Sequence, residues 1–227
     1  MKIKSLLGLL SLLSTSLIMG QSGFNSNKEQ TAEVVLNLQV GSSPVSFDAP
    51  GLRYRFFLHP DLAIRASLLA TYYNNSEVIY DAGDRTLTGT KDQNNWSVGI
   101  GLGIEKHIGG EGKLQPYYGG QVVFGTGGAS ASGTNTLNGF VYVKDGQYEN
   151  SISGVYSFAA NLLFGADYYF VENIYVGAEI GFGINHQFNG YQQQWDNVTD
   201  KTVETKLMTV TNLGISSNNG IRMGIRF

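Results

Sequence analysis

The feature that most constrains this chain is a period of two. Between residues 174 and 186, Ile174, Val176, Ala178, Ile180, Phe182 and Ile184 alternate with Tyr175, Gly177, Glu179, Gly181, Gly183 and Asn185. Successive side chains of a β-strand point to opposite faces, so this segment reads as a strand with one oily face and one polar face. Seven further segments share the pattern: about 33–40, 51–58, 62–73, 95–106, 116–126, 155–169, and a last one that starts as early as Leu207 and ends at Phe227. That last segment closes on NNGIRMGIRF, with Ile221, Met223, Ile225 and Phe227 on one parity and Arg222 and Arg226 on the other.

A soluble antiparallel sheet alternates too, so the content of the polar face has to discriminate. A solvent-facing sheet favours Lys, Glu and Thr with few glycines. Here the polar face of all eight segments lacks lysine and carries Arg, Glu, Asp, Asn and much glycine. Small residues beside long ones suit a narrow closed interior. Composition agrees: 15% of residues are charged, and there are 30 glycines and 13 tyrosines against 4 prolines. No run of 18 apolar residues follows the N-terminus, so no spanning helix is expected, and membrane strands leave no such run.

The connections then fix the topology. After a medium link at 41–50, lengths alternate between short (His59-Pro60-Asp61, about 107–115, Phe170 to Asn173) and long (about 74–94, 127–154, 187–206). Short turns at one end and long loops at the other mark a membrane barrel. The expected fold is all-β: an eight-stranded antiparallel up-and-down transmembrane β-barrel with short periplasmic turns and long extracellular loops. Two long loops read as hairpins continuing above the bilayer. In one, Val78-Ile79-Tyr80 and Arg85-Thr86-Leu87 flank 81–84; in the other, Phe140 to Val143 precedes Asp145-Gly146, a type I′ turn signal.

The N-terminus, MKIKSLLGLLSLLSTSLIMG, sets Lys2 and Lys4 before an apolar run from about Leu6 to Met19, followed by Gly20 and Gln21. The run is short for a spanning helix, which needs about 20 apolar residues. It reads as a cleaved signal peptide over 1–20, with a short flexible periplasmic segment over 21–32 and the barrel domain over 33–227. Removing 1–20 takes two lysines from the 15 basic side chains, leaving 13 against 18 acidic ones and a formal charge of −5. With no basic stripe, nucleic acid is an unsuitable partner. The absence of cysteine excludes disulfides, thiolate metal sites and cysteine nucleophiles.

At this point the sequence resembles the small eight-stranded outer-membrane barrels of Gram-negative bacteria, the OmpA/OmpX-like or porin-family domains. The signal peptide, LRYRFFLHPDLAIRASLLATYY across the first short turn, ADYYFVENIYVGAEIGFG across the third and the terminal GIRMGIRF carry the likeness, which covers nearly all of the chain after residue 20. The resemblance implies residence in the outer membrane, among lipid and lipopolysaccharide. It also implies that the final strand, with Met223, Ile225 and Phe227, is like the signal read by the barrel assembly machinery.

The inward charges form the main candidate site: Arg53, Arg55, Arg65, Arg222 and Arg226 with Glu33, Glu105, Asp167 and Glu179. Such near-balance is expected where ions must pair in a low-dielectric lumen. The set reads as a structural plug first, and as a polar conduit or ligand pocket second, since eight strands leave room only for side chains or one small ligand. Tyr72, Trp96 and Tyr156 near outer strand ends, and Tyr118, Tyr168 and Phe227 near inner ends, suit two membrane interfaces.

Catalysis would need a nucleophile, a base and an orienting carboxylate together. His59 and His107 fall at periplasmic turns. His186 lies at an outer strand end, and no spacing singles it out with Asp196 or Asp200 and a nearby serine. The pairs Asp81 and Asp84, or Asp196 and Asp200, match no calcium loop and suit turn capping better. GIGLGIEKHIGG opens no helix, so no phosphate loop is read there. The expected role is therefore structural or surface-binding, without cofactor or metal and as a monomer. The loop 187–206, rich in amides, aromatics and acids, would meet an extracellular protein or glycan. A narrow solute channel or lumen ligand carrier is the alternative, and a barrel enzyme or a soluble lipocalin-type carrier the more distant ones.

Overall fold

The computed structural model describes residues 30–39, 46–47, 51–108, 112–137, 139–215 and 220–227. The expected signal peptide over 1–20, residues 21–29 and most of the 41–50 link lie outside the described residues. The strands are β1 (Gln30–Gln39), β2 (Ser46–Phe47), β3 (Gly51–His59), β4 (Leu62–Tyr80), β5 (Thr88–His107), β6 (Leu114–Leu137), β7 (Val141–Val171), β8 (Ile174–Phe188), β9 (Tyr191–Asp196), β10 (Lys201–Lys206), β11 (Val210–Ile215) and β12 (Gly220–Arg226).

Eight of these strands close a ring. Each of β1, β3, β4, β5, β6, β7 and β8 pairs antiparallel with the next, and β12 joins β8 back to β1. β11 continues the eighth wall position upward along β8, from Ile215 opposite Phe182 to Val210 opposite Gln187. A closed ring has no unpaired edge, which lets strands lie in hydrocarbon, where a free N–H or C=O costs several kcal/mol. The chain is thus an all-β, eight-stranded antiparallel barrel.

Parity sorts the side chains as a membrane barrel requires. Ile180 is 55% exposed and its neighbour Glu179 only 7%. Ile64, Leu68, Ile100, Leu102, Phe124, Leu162, Phe164 and Met223 extend the exposed apolar face around the wall. On a soluble protein this patch would be an aggregation hazard; against acyl chains it is the solvated surface.

Both chain ends of the barrel and all three short connections meet at one rim. There the Gln30 N–H donates to the Phe227 carbonyl (3.0 Å), Arg226 N–H to Asn173 (2.8 Å) and His107 N–H to Asp61 (2.8 Å). At the opposite rim the strands overrun the bilayer. β4 to β7 have 19, 20, 24 and 31 residues, whereas a tilted strand spans the core with about 9–11. Their outer parts form an extracellular sheet, which β9 and β10 extend as a hairpin laid on β7 from Tyr148 to Ser153.

Several sequence expectations shift here. The first strand starts at Gln30, so 30–32 belong to the barrel and not to an N-terminal segment. β4 and β5 meet around 81–87, with Arg85-Thr86-Leu87 outside both strands. Asp145-Gly146 is no hairpin turn. The chain reverses earlier, where Gly139 (φ 76°) precedes a Phe140 N–H bond to the Leu137 carbonyl (3.2 Å). Asp145 (φ 59°) sits instead in an irregularity opposite Asn135, which accepts its N–H at 3.0 Å. A second irregularity sets Val155 opposite Gly127 and Ile152 opposite Ala129, with Gly154 at φ 70°. The extra residue reverses parity, so Glu149 and Ser151 share the outer face with Tyr156.

Candidate functional site

The lumen holds the sequence-predicted charges in one cluster. Arg55, on β3, reaches three carboxylates: Glu33 on β1 (Nε to Oε1, 2.5 Å), Glu105 on β5 (Nη1 to Oε2, 3.1 Å) and Asp167 on β7 (Nη2 to Oδ2, 2.9 Å). Glu179, on β8, gathers three guanidiniums. It accepts from Arg53 at 3.0 and 3.1 Å, from Arg65 at 2.8 and 3.0 Å and from Arg222 at 3.1 Å. Arg65 also bonds Glu105 at 2.7 Å, and Arg222 pairs with Asp167. Each of these eight residues is buried.

Arg226 is the exception among the nine. It is only half-buried, at the periplasmic rim, with its guanidinium 5.2 Å from the Tyr169 ring centre. Without it the buried set is four cations and four anions. That equality matters physically, because an unmatched ion in this interior costs several kcal/mol.

Two tyrosines complete the cluster that charge reading alone missed. The Tyr117 hydroxyl donates to Glu179 at 2.5 Å; the Tyr175 hydroxyl donates to Glu33 at 2.7 Å and accepts from Arg55 at 2.6 Å. Both lie on the inward parity with glycines, which was the available signal. Room for them comes from Gly165 and Gly224: a Cβ at Gly165 would fall on the Tyr117 ring and one at Gly224 on the Tyr175 ring. His107 is also inside, and not at a turn as its spacing suggested. It ends β5 on the parity of Glu105, its ring 5.1 Å from Phe57 and 5.3 Å from Tyr117.

Above the cluster the lumen opens into a cavity of about 300 Å³ lined by Ser97, Gly99, Gly125, Ser157, Asn161 and Gln187 among others. On the wall, Tyr72 pairs across strands with Trp96 at the extracellular level, and Tyr156 lies exposed near them beside Thr126. Tyr118, Tyr168 and Phe227 are exposed toward the other rim, and Met223 and Ile225 face outward with Phe227.

The remaining candidates lie outside the cluster. The His186 Nδ1 lies 2.7 Å from the Thr211 hydroxyl and its ring packs on Phe188. Asp81 accepts the N–H groups of Gly83 and Asp84, and Asp196 accepts the N–H and hydroxyl of Thr199. Among the described residues no three metal-ligating side chains come together. Asp84 accepts the Thr86 hydroxyl (2.7 Å) and N–H (2.9 Å), which stabilise the carboxylate and hold its pKa below the ordinary 3.8. A lowered folded pKa means the turn is fully held above the ordinary value and released as pH falls through the lower one. In an NMR titration of the protein in micelles, the Thr86 amide should therefore shift below pH 3.8. A midpoint at or above that value would contradict the contact.

A closed ring with an apolar exterior, an ionic interior and overlong strands at one rim defines an outer-membrane β-barrel. The chain belongs to the putative OmpA-OmpF-like porin family, whose model matches residues 50–227, and its place is the outer membrane. No curated protein sequence matches it. Among solved structures it is similar to a major outer membrane protein from Thermus thermophilus, at 12% identity over 89% of this chain and 100% of that one, TM-score 0.47. It is also similar to Ail, the attachment invasion locus protein of Yersinia pestis, at 14% over 88% and 97%, TM-score 0.38. OprG from Pseudomonas aeruginosa aligns at 10% over 90% and 98%, TM-score 0.43.

Proposed function

We propose that this protein is a plugged, non-catalytic barrel that anchors an extracellular β-sheet and uses that sheet as a binding surface. The observation that carries the proposal is the interlocked ion cluster: four arginines, four carboxylates and two tyrosines bridge β1, β3, β4, β5, β6, β7, β8 and β12 across the lumen. A pathway through it would have to break several charge-assisted bonds at once. The overlong β4 to β7 support the second half of the reading, since the bilayer needs none of the extra length. The exposed aromatics at two levels support interfacial anchoring. The outward Met223, Ile225 and Phe227 suit recognition by the assembly machinery.

Two measurements test this. Purified protein in planar bilayers should give no discrete conductance steps; steps altered by Arg53→Ala or Glu179→Ala would establish the channel reading instead. Separately, residues 191–206 can be replaced by an Asn-Gly turn, because the Leu207 N–H already bonds the Gly190 carbonyl (2.9 Å) at the hairpin base. Cells bearing the trimmed barrel should keep its heat-shifted gel mobility and lose attachment to a panel of immobilised proteins and glycoconjugates. Undiminished attachment would remove the surface-binding role.

A further inference from the structure

The extracellular sheet carries a polar trough on its outer face. Its volume is about 620 Å³, within the roughly 300–1,000 Å³ of ligand sites. Two side-by-side rows of side chains form its floor. In one row Asp92, Ser132, Glu149, Trp195 and Thr202 are successive cross-strand partners from β5 to β10. In the other, Asn74, Asn94, Ser130, Ser151 and Gln193 follow one another in the same way. The parity reversal at Gly154 puts Glu149 and Ser151 into these rows; without it they would point to the other face. Strands about 4.8 Å apart give each row a length of roughly 19 Å.

The chemistry of the lining selects a ligand class. Carboxylates, amides and hydroxyls line the trough, together with the Trp195 indole, and no lysine or arginine does. Carboxylates accept, and amides and hydroxyls both donate and accept. Partners that offer hydroxyls along a chain can satisfy them, while the apolar face of a sugar ring can lie on an indole, whose body is apolar. Phosphate, sulfate and carboxylate groups would meet Asp92 and Glu149 with no cation between. A protein interface would instead be centred on aromatics, Met and Arg. Two acceptors stand ready. The Asn94 side-chain oxygen is buried without a hydrogen-bond partner, and Glu149 takes part in no ion pair among the described residues. The buried Asn94 oxygen costs stability unless something donates to it, and the Glu149 carboxylate is exposed and open to a ligand.

We infer that this trough, formed by β4, β5, β6, β7, β9 and β10, binds a linear, uncharged oligosaccharide, with Trp195 as stacking platform and Asp92, Asn94, Glu149 and Gln193 as hydrogen-bonding groups. The inference rests on the surface-binding reading and names its ligand class. The neutral sugar chain can come from surrounding lipopolysaccharide or from outside the cell, and the trough's chemistry is the same for both.

The test uses the full-length protein in nanodiscs, on an array of neutral hexose and N-acetylhexosamine oligosaccharides with sulfated and phosphorylated members alongside. Delipidated polysaccharide from the host strain's lipopolysaccharide is offered in parallel, to tell a neighbouring sugar from a foreign one. Neutral members should be retained, with affinity changing less than about twofold between low and high salt, because no charge on the ligand is screened. Trp195→Ala and Glu149→Gln should each weaken binding at least about tenfold, equivalent to about 1.4 kcal/mol, while heat-shifted mobility is kept. Retention of charged members alone, of none, or of neutral members equally by both variants would overturn the inference. If array binding fails while hairpin-dependent attachment of cells persists, the ligand is a protein and only the carbohydrate assignment falls; loss of both defeats the broader reading as well.

Discussion

Arg55→Ala should cost the folded barrel about 3–5 kcal/mol, the usual penalty for stripping the partner from a buried ion. The substitution leaves three carboxylates, Glu33, Glu105 and Asp167, facing the gap. It also leaves the Thr31 and Tyr175 hydroxyls without the guanidinium they bond, at 3.0 and 2.6 Å. Denaturant unfolding in lipid vesicles, followed by gel mobility without heating, measures the loss. Arg226→Ala supplies the internal standard. It removes the same charge from the half-buried rim, so its cost should stay near the ~1 kcal/mol or less of exposed pairs.

The four-against-four balance sharpens the expectation. Arg55→Met combined with Asp167→Leu removes one ion of each sign and replaces a buried pair by apolar groups, which is often close to neutral. The double variant should therefore recover part of the single variant's loss, though not all, because Arg222 also pairs with Asp167. If Arg55→Ala costs no more than Arg226→Ala, the lumen is hydrated enough to screen these charges. The plug would then hold little of the barrel's stability.

The parts of this architecture that could be read in advance are those where lipid imposes contrast. Between hydrocarbon and a packed lumen, period two is sharp, so Ile180 beside Glu179 and Met223 beside Arg222 already assign each side chain its face. Above the bilayer water lies on both sides, the contrast fades, and Asn74 to Glu77 or Ala129 to Leu137 look like loop although they are strand. Asp145-Gly146 misleads for a different reason. Its turn chemistry is real, since Asp145 does adopt positive φ. Contacts distant in sequence decide its use: Asn197 donates to the Asp145 carbonyl (2.9 Å) and accepts from the Gln147 N–H (2.6 Å). His107 was legible from the parity of Glu105, yet its closeness to GG at 109–110 suggested a turn. Tyr117 and Tyr175 could be placed inside, but their partners could not, because register across the barrel is invisible along one strand.

Glycine placement opposite those tyrosines leads to the second large effect. Gly224→Val should destabilise the barrel by about 3 kcal/mol, within the 1–3 kcal/mol of core overpacking. A Cβ at 224 would land on the Tyr175 ring, and that ring has no free direction in which to move. Tyr169 packs on it at 4.9 Å between centroids, the Arg55 guanidinium lies 5.2 Å from its centre, and its hydroxyl is held between Arg55 and Glu33. Any displacement therefore also breaks bonds to charged partners, each worth about 1.5–3 kcal/mol. The coupling can be isolated with a second substitution. Tyr175→Ala alone is costly because it leaves a cavity, but it vacates the space that a valine at 224 would enter. Adding Gly224→Val in that background should cost almost nothing or restore stability. The two changes should then miss additivity by more than about 1 kcal/mol, whereas uncoupled sites add within ~0.5 kcal/mol. Simple additivity in the unfolding measurement would mean that the glycine is there for some reason other than making room for the ring.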